Sequence, residues 1–412
     1  MPPQLRSRLL LSVTASALLL AAAVRAEDWP CWRGLHRDGI SREVGLVKSW
    51  PETGPKVAWK RELTGGYSGA AVARGRLVTQ TEDKKEEIVL CLEAATGKPV
   101  WEYRYPCDYD QHPSLDQRFK GGPRSSPTID GDRVYTLGTT GVLSCLDFQT
   151  GKPVWSSDLL KLAGRACPEF GYTGSPLVEG NLVFVHPGGQ NGNSLAALDK
   201  RDGKLVWKAE SDRVGYSSPL VIHVNGTPQV VYFTGTGVVA VTPADGKALW
   251  RYDWKTDYDL NTATPLYHDG KLFISSNYGH GAALLKVRAG GEPELLYKSL
   301  AMQNHYSTSV LLNGHLYGFS NDRLRCLDWE TGAIKWDQRG LGRGSVLAAD
   351  GRLILLGDQG DLVLAEAKPD AYVEQARWKA LQGSCWTAPI LANGLLYLRN
   401  ENTLLAVDLR AQ

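Results

Sequence analysis

The sequence has few methionines, no adjacent pair of cysteines and no Cys-x-x-Cys motif. It contains two methionines against 13 tryptophans and 17 tyrosines, so rigid rings are expected to fill the interior. The absence of Cys-x-x-Cys and of paired Cys/His spacings argues against a structural zinc site. Aromatic side chains are enriched in strands, so this composition favours a β-rich protein.

The sequence also lacks an excess of charge of either sign. Its 412 residues carry a formal net charge of +2, and three of its arginines lie within residues 1–26. A chain this close to neutral has no strongly basic character, so neither nucleic acid nor an anionic membrane surface is an expected partner. Hydrophobic residues make up 43% of the chain, which is typical of a globular protein with a sizeable core.

An apolar run at the N terminus is typical of a secretory signal peptide. Arg6 and Arg8 precede this run, and the small residue Ala26 follows it. A membrane anchor is the alternative interpretation, but the run is short for a span. Cys31 lies too far beyond the run for a lipid anchor. We therefore expect cleavage of residues 1–26 and a periplasmic or secreted protein without stable membrane insertion.

A short phrase recurs along the chain at wide, similar intervals. Its best example runs from Cys145 to Trp155 and consists of a strand end, a Thr-Gly turn and a strand that carries tryptophan. Each repeat also contains a glycine turn, usually preceded by Asp, Asn or Glu, which is typical of tight turns between antiparallel strands. Eight such turns occur, at Gly75, Gly131, Gly180, Gly226, Gly270, Gly314, Gly351 and Gly394.

Eight turns predict an all-β, eight-bladed β-propeller whose blades each contain four short antiparallel strands. The last unit, from Trp386 to Leu409, has only three strands, and the isolated strand 56–63 with Trp59 supplies the missing outer strand. This pairing would close the ring and hide a sheet edge. Seven blades with a separate hairpin is the alternative, because the fifth and seventh units depart from the pattern.

This organisation divides the chain into three parts. They are the signal peptide (1–26), a lead-in segment rich in turn residues (27–55) that packs against the body, and the propeller (56–412). If disulfides form in an exported chain, its seven cysteines leave at least one unpaired. Cys107 and Cys167 fall in equivalent loops between repeats, so a bridge between them is one pairing that the sequence allows.

The phrase from Leu146-Asp147 to Trp155, with its repeats, resembles the propeller repeat of the pyrroloquinoline-quinone (PQQ) enzyme family over about residues 56–409. The lead-in from Trp29 to Gly34 is similar to the entry of exported PQQ-like propeller proteins of bacteria. The resemblance implies that tryptophans lock neighbouring blades together. The tryptophans concerned are Trp59, Trp101, Trp155, Trp207, Trp250, Trp336 and Trp378.

Two functional branches share this repeat. In the quinoprotein dehydrogenases, which oxidise alcohols or sugars, the family holds PQQ between a tryptophan and a disulfide of adjacent cysteines, with a bound Ca²⁺ and an aspartate base. In the cofactor-free scaffolds, loops bind other proteins. This sequence has no adjacent cysteines, and no calcium-binding set aligns with it. We therefore favour a ligand- or protein-binding scaffold, and a PQQ-dependent enzyme with Ca²⁺ is the alternative.

Ligands of propellers bind at one mouth of the central channel, in the loops that lead into the inner strands and in the loops between the middle strands. These loops supply our candidates for binding a small molecule or an envelope protein: Arg124, Tyr172, Tyr216, Asn261, His280, His305, Arg343 and Trp386. The arginines suit a carboxylate or phosphate, and the rings suit a flat ligand. No metal site and no catalytic residue is assigned. The long loop from Pro106 to Gly122 is either a lid or a decoration of the rim.

Overall fold

The computed structural model describes residues 26–109 and 121–411, and it confirms the all-β, eight-bladed propeller. The predicted signal peptide lies outside the described residues except for Ala26, and so do residues 110–120 of the long loop. Each blade contains four antiparallel strands numbered from the channel outwards, so the seven-blade alternative is wrong. The regular helix of the described chain is α1 (Leu159–Ala163), which follows blade 2.

The strands follow one another along the chain with short turns between them. The lead-in contributes β1 (Ile40–Ser41), and β2 (Lys56–Glu62) follows it. Blades 1 to 4 comprise β3 (Ala71–Ala73), β4 (Arg76–Asp83), β5 (Glu86–Glu93) and β6 (Pro99–Pro106); β7 (Thr128–Asp130), β8 (Arg133–Leu137), β9 (Val142–Asp147) and β10 (Pro153–Asp158); β11 (Leu177–Glu179), β12 (Leu182–Val185), β13 (Leu195–Asp199) and β14 (Leu205–Ala209); and β15 (Leu220–Val224), β16 (Thr227–Phe233), β17 (Gly237–Val241) and β18 (Ala248–Asp253).

Blades 5 to 8 continue the pattern. They comprise β19 (Leu266–His268), β20 (Lys271–Ser276), β21 (Gly281–Lys286) and β22 (Glu294–Ser299); β23 (Val310–Leu312), β24 (His315–Ser320), β25 (Arg323–Asp328) and β26 (Ile334–Arg339); β27 (Ser345–Ala349), β28 (Arg352–Leu356), β29 (Asp361–Glu366) and β30 (Glu374–Lys379); and β31 (Ile390–Ala392), β32 (Leu395–Arg399) and β33 (Thr403–Asp408). The middle strands are almost wholly buried because apolar residues cover both of their faces, against the neighbouring blades.

The ring closes through the predicted pairing of its two ends. Strand β2 pairs antiparallel with β33 as the outer strand of blade 8, with Trp59 opposite Ala406. A buried arginine reinforces this closure, because Arg399 of β32 donates to the carbonyl oxygens of Gly65 and Gly66 before blade 1, at 2.8 and 2.9 Å. No sheet edge is therefore left open at the junction of the first and last blades.

Rings on the outer strands contact the turn of the following blade. Trp101 Nε1 donates to the Phe148 carbonyl oxygen at 3.0 Å, and its indole lies against Gly151. The same contact joins Trp59 to Gly97, Trp155 to Gly203 and Trp207 to Gly246. Glycine is required at these turns, since each has a positive φ and a Cβ would meet the indole within 3 Å.

At the remaining junctions between blades, the contact between the outer-strand ring and its neighbour takes other forms. In blade 5, Tyr297 stands where the repeat has tryptophan, and its ring lies against Gly332. Trp250 acts through Gln229, to which it donates at 2.7 Å, and Trp336 donates to the Lys368 carbonyl oxygen at 2.8 Å. Trp378 lies against Gly54 of the lead-in, because blade 8 receives its outer strand from that end of the chain.

The lead-in crosses the channel at the ends of the inner strands. It hydrogen bonds with the inner strands of blades 1, 2 and 3, at Val72, Ile129 and Val178. Its β1 adds a parallel fifth strand to blade 7 beside β27, which the sequence did not predict. On blade 6, the buried Arg33 donates to the Ser309 carbonyl oxygen at 2.9 Å. The lead-in thus covers one end of the channel.

Candidate functional site

A cavity of about 320 Å³ occupies the channel above the lead-in. Its walls come from the loops that lead into the inner strands. The main contributor is the residue immediately before the short run of small residues that precedes an inner strand, such as Ser125-Ser126-Pro127 in blade 2. Seven of the eight blades contribute a lining side chain from that slot: Tyr67, Arg124, Thr173, Tyr216, Thr262, Tyr306 and Trp386. The repeat therefore delivers one side chain per blade to a common site.

An aromatic collar, formed by Tyr67, Trp386, Tyr306, His305 and Tyr278, surrounds much of this cavity. Their ring centroids follow one another at 5.2, 5.7, 5.6 and 5.5 Å. Because each ring contacts the next, the collar forms a continuous wall across blades 1, 8, 6 and 5. The wall is apolar over its ring surfaces and polar at its hydroxyl and imidazole atoms.

A second aromatic pair lies on the side of blades 3 and 4. Phe170 and Tyr216 contact each other edge to face, with ring centroids 5.4 Å apart. Both side chains line the cavity. Together with the collar, they place aromatic surface on both sides of the channel.

Arg124 is the single cation among the described residues that line the cavity, and no carboxylate is among them. Its Nη1 donates to the Gly122 carbonyl oxygen at 3.1 Å, and it forms no ion pair with any described residue. A guanidinium in such a place is available to an anion. Arg399 adds positive charge behind the wall, since it is buried and donates to the main chain on both sides of Tyr67, at Gly66 and Ser68.

His305 is held neutral within the collar. Burial and then the nearby Arg343 guanidinium lower the pKa of His305 to about 4. Its Nε2 lies 2.9 Å from the Tyr278 hydroxyl, whereas its Nδ1 has no hydrogen-bond partner among the described residues. The Tyr306 hydroxyl is also buried without a partner in this part of the chain, and burial raises its pKa well above the usual range. Both atoms have almost no accessible surface, so they lie within the wall and not on its exposed face.

Hydroxyl groups and one indole form the bottom of the cavity. Two of these hydroxyls accept a main-chain N–H from the preceding blade: Ser175 Oγ accepts from Ser126, and Ser218 Oγ accepts from Ser175, both at 2.9 Å. Below them, the lead-in projects Trp32 into the channel, where its Nε1 donates to Thr264 Oγ1 at 2.9 Å. The lead-in is therefore part of the site.

The structure brings four of the eight predicted site residues together around the cavity, namely Arg124, Tyr216, His305 and Trp386. Tyr172 points into the interior, where its hydroxyl donates to the Pro187 carbonyl oxygen at 2.9 Å. Asn261 is fully buried, and its amide nitrogen donates to the Thr234 carbonyl oxygen at 2.7 Å. Neither of these two residues lines the cavity, which corrects our expectation for them.

Two further candidates lie outside the lining. Arg343 is exposed, and its main-chain N–H donates to Asp358 Oδ2 at 3.2 Å. His280 belongs to the turn that also carries Tyr278, and its side chain does not line the cavity. Trp32 and Tyr67 were not predicted, whereas Phe170, Tyr278 and Tyr306 lie in loops that the sequence places at the mouth without being named as candidates. The signal that could have found Tyr67 and Tyr306 is their position immediately before the small residues that precede an inner strand.

The cysteines, possible metal ligands and possible membrane-spanning helices were also compared with the structure. All seven cysteines are free thiols; Cys107 Sγ lies 3.9 Å from Thr140 Oγ1, and Cys167 Sγ lies 3.6 Å from the Thr139 carbonyl oxygen. Within residues 26–109 and 121–411, no group of three or more His, Cys, Asp or Glu side chains is placed to hold a metal ion. The same residues include no helix long and apolar enough to cross a membrane.

The eight blades, the ring-to-turn contacts and the channel cavity define a PQQ-like β-propeller. The family model described as outer membrane protein assembly factor BamB matches residues 85–338, and the chain belongs to this family. BamB of Burkholderia pseudomallei is 31% identical over 254 residues, or 60% of each chain. The quinoprotein alcohol dehydrogenase PedH of Pseudomonas putida is 27% identical over 58% of this chain and 41% of its own.

Solved structures show the same fold. BamB from Moraxella catarrhalis has a TM-score of 0.64 at 16% identity and covers 86% of this chain and 99% of its own. The quinohemoprotein alcohol dehydrogenase from Comamonas testosteroni has a TM-score of 0.67 at 14% identity, over 95% and 82%. By sequence, the chain spans about three fifths of the length of the BamB relatives from Moranella endobia and Burkholderia pseudomallei.

Proposed function

We propose that this protein is an exported binding propeller of the bacterial envelope, and that it holds its partner at the channel mouth. One observation carries this proposal: the cavity is lined by aromatic rings, hydroxyl groups and one guanidinium, and by no carboxylate among the described residues. Such a lining supplies contacts and an anion partner, whereas it offers no carboxylate base to remove a proton from an alcohol. Relatives named as assembly factors favour the same role.

The rim of the mouth suits a protein partner. Three apolar or aromatic side chains stand out from the rim at blade 5: Tyr258 is 68% exposed, Tyr278 is 47% exposed and Leu300 is 61% exposed. Exposed apolar groups beside a pocket are a frequent feature of protein-binding surfaces, since the pocket can accept an anchoring side chain. We refer to these three residues as the blade 5 rim.

A photo-reactive amino acid tests this role. We would place it at residue 300 on the blade 5 rim and, as a control, at residue 154, which is an exposed valine on the outer strand of blade 2. Irradiation of intact cells should give a discrete cross-linked envelope protein from residue 300 and none from residue 154. A Tyr278→Ser change should lower that yield several-fold. Equal labelling from both positions would refute docking at the mouth.

The alternative is a quinoprotein dehydrogenase, favoured by the rings and Arg124, which suit a flat anion, and by the resemblance to PedH. The residues present do not fit a calcium-bound quinone, because none of the described lining residues is acidic and the chain has no adjacent cysteines. Calorimetry with PQQ and Ca²⁺ tests this alternative. We expect no Ca²⁺-dependent binding and no dye-linked oxidation of alcohols or sugars; either would establish the alternative.

A further inference from the structure

We propose that removal of the signal peptide completes a buried ion pair in the lead-in. Hydrolysis of the Ala26–Glu27 peptide bond frees the α-amino group of Glu27, and the resulting ammonium pairs with the carboxylate of Glu43. This inference rests on the predicted cleavage after Ala26 and is independent of what the channel mouth binds. Three features support it: the burial of Glu43, its lack of a cationic partner and the position of the Glu27 main chain.

Glu43 is a fully buried carboxylate between the lead-in and blade 8. It follows β1, and its Oε2 accepts the main-chain N–H of Gly394, in the turn between β31 and β32, at 2.7 Å. Its Oε1 is buried without a hydrogen-bond partner among the described residues. A buried carboxylate is costly unless an opposite charge and hydrogen-bond donors surround it. One oxygen of Glu43 therefore lacks the donor that its burial requires.

Glu43 also lacks a countercharge among the residues that the structure describes. The nearby arginines are each paired elsewhere: Arg410 with Asp408 at 2.6 Å, and Arg42 with Asp38 at 2.5 Å. Burial raises the pKa of Glu43, and the groups that oppose this effect are neighbouring main-chain N–H groups. A cation placed beside Glu43 would therefore stabilise its charged form more than those neutral donors do.

The main chain of Glu27 lies beside this carboxylate. Its N–H is one of the groups that lower the pKa of Glu43. Neighbours of the carboxylate fix Glu27 in place, since the Arg42 N–H donates to Glu27 Oε2 at 2.8 Å and the Asn393 N–H donates to the Glu27 carbonyl oxygen at 3.3 Å. Two residues further on, Trp29 is buried and bridges to the inner strand of blade 1. Contacts that cleavage leaves intact therefore position the Glu27 nitrogen.

Cleavage converts this nitrogen from a neutral amide into a cation. Signal peptidase adds one water across the bond, so that Ala26 leaves with a carboxylate and Glu27 keeps an amine. The amine takes up a proton at neutral pH, since an α-amino group has a pKa of about 8. An ammonium has three N–H donors where the amide had one. Ala26 is exposed, so its departure removes no buried side chain. The mature chain thus gains an ion pair that the precursor lacks.

The first test identifies the mature N terminus. The full chain is exported from a bacterial host, and the intact mass of the purified protein is measured. We expect the mass of residues 27–412, with glutamate as the first residue. A mature chain that begins at any other residue would overturn the proposal, whatever the channel mouth binds.

The second test measures the ion pair in a double-mutant cycle. Chains that begin at Glu27 or at Ala26 are released from a fusion partner by a protease that leaves no extra residue. The chain from Ala26 keeps the natural residue but turns the Glu27 amine into an amide. We expect its equilibrium constant for folding, from urea unfolding, to be at least about ten-fold smaller. In Glu43→Gln, the two starts should agree within about two-fold.

Glu52→Gln is the matched control, because Glu52 is an exposed carboxylate of the same lead-in. It should leave the difference between the two starts unchanged. Equal stability of the two starts in the wild type would refute the ion pair. The same conclusion would follow if Glu43→Gln were as stable as the wild type in the chain from Glu27, because Glu43 would then carry a proton of its own.

Chemical labelling gives a readout that needs no substitution. A paired ammonium is held in its charged form, which does not attack an amine-directed acylating reagent. At neutral pH, the α-amine of the folded chain from Glu27 should be labelled at least about ten-fold more slowly than that of the chain from Ala26, whose first residue is exposed. Mass spectrometry of the N-terminal peptide follows both rates. Equal rates in the two folded chains would contradict the pairing.

Discussion

The indole of Trp101 lies against Gly151 of the next blade, so closely that a Cβ on this glycine would be 2.5 Å from Trp101 Cε3. Gly151 also has a φ of +70°. Replacement by alanine adds backbone strain to a steric clash, and we expect Gly151→Ala to lower the free energy of unfolding by about 2–4 kcal/mol. Urea unfolding measures this loss.

Gly131 provides the matched control for this prediction. It also has a positive φ, of +53°, but an added Cβ would meet nothing within 4 Å. Gly131→Ala should therefore cost only the backbone term, about 1 kcal/mol. Equal losses in the two variants would mean that the indole contact contributes nothing.

Arg399 is expected to be essential for closing the ring. Arg399→Met would leave the carbonyl oxygens of Gly65, Gly66 and Ser68 buried without a donor, and we expect a loss of at least about 3 kcal/mol. Arg410→Met, which removes an exposed pair with Asp408, should cost at most about 1 kcal/mol. The two variants are compared by their midpoints of urea unfolding, provided that the dependence of the unfolding free energy on urea concentration is unchanged. Similar losses would contradict a special role for Arg399.

His305 should make the protein less stable in acid. Its pKa is about 4 in the folded chain and about 6.5 when unfolded, because burial and then Arg343 disfavour its charged form. As the pH falls from about 6.5 to about 4, the unfolded chain takes up a proton that the folded chain does not, so stability falls. Comparing urea unfolding of wild type and His305→Gln at pH values across this window isolates the contribution.

Arg343 can be tested through the same titration. Arg343→Gln removes a like charge and should raise the pKa of His305 towards 6.5, as followed by NMR of the imidazole ring. Arg288→Gln, which breaks an exposed pair with Glu294, is the control and should not move it. An unchanged titration in Arg343→Gln would leave burial as the whole cause.

Trp32 should support both the fold and the cavity. Trp32→Ala removes an indole from the bottom of the cavity, and we expect a loss of about 2–4 kcal/mol in unfolding free energy. Trp32→Phe keeps a ring but loses the hydrogen bond to Thr264, which should cost about 1 kcal/mol. A double-mutant cycle with Thr264→Val measures that bond. No coupling in the cycle would show that the bond contributes nothing to stability.

The fold could be predicted because the sequence pattern of one blade recurs eight times along the chain. The glycines of the tight turns, such as Gly131 and Gly394, mark each blade, and the three-stranded last unit has an obvious partner in residues 56–63. The lead-in could not be placed in this way. It has no repeat, and β1 is two residues long, so its position depends on contacts with blades 1, 2, 3, 5, 6, 7 and 8 that no local sequence pattern predicts.

The site was predicted at the level of loops and only partly at the level of side chains. A loop position does not say which way a side chain points. Tyr172 and Asn261 each stand one residue before the slot that faces the channel, and both are turned into the interior. Tyr67 occupies the channel-facing position itself, but the loop that carries it consists mainly of small residues and was not predicted to line the mouth. Trp32 reaches the cavity from outside the repeat.

Ring closure by β2 and β33 has a consequence for how the chain is made. The outer strand of blade 8 is synthesised before any blade, and its partner is synthesised after all the others. During synthesis, β2 must stay unpaired until β33 has been made, and contacts between such distant segments form slowly. An exposed, unpaired strand is prone to aggregate in that interval. The last step of folding therefore sets the period in which the new chain most needs protection by a chaperone.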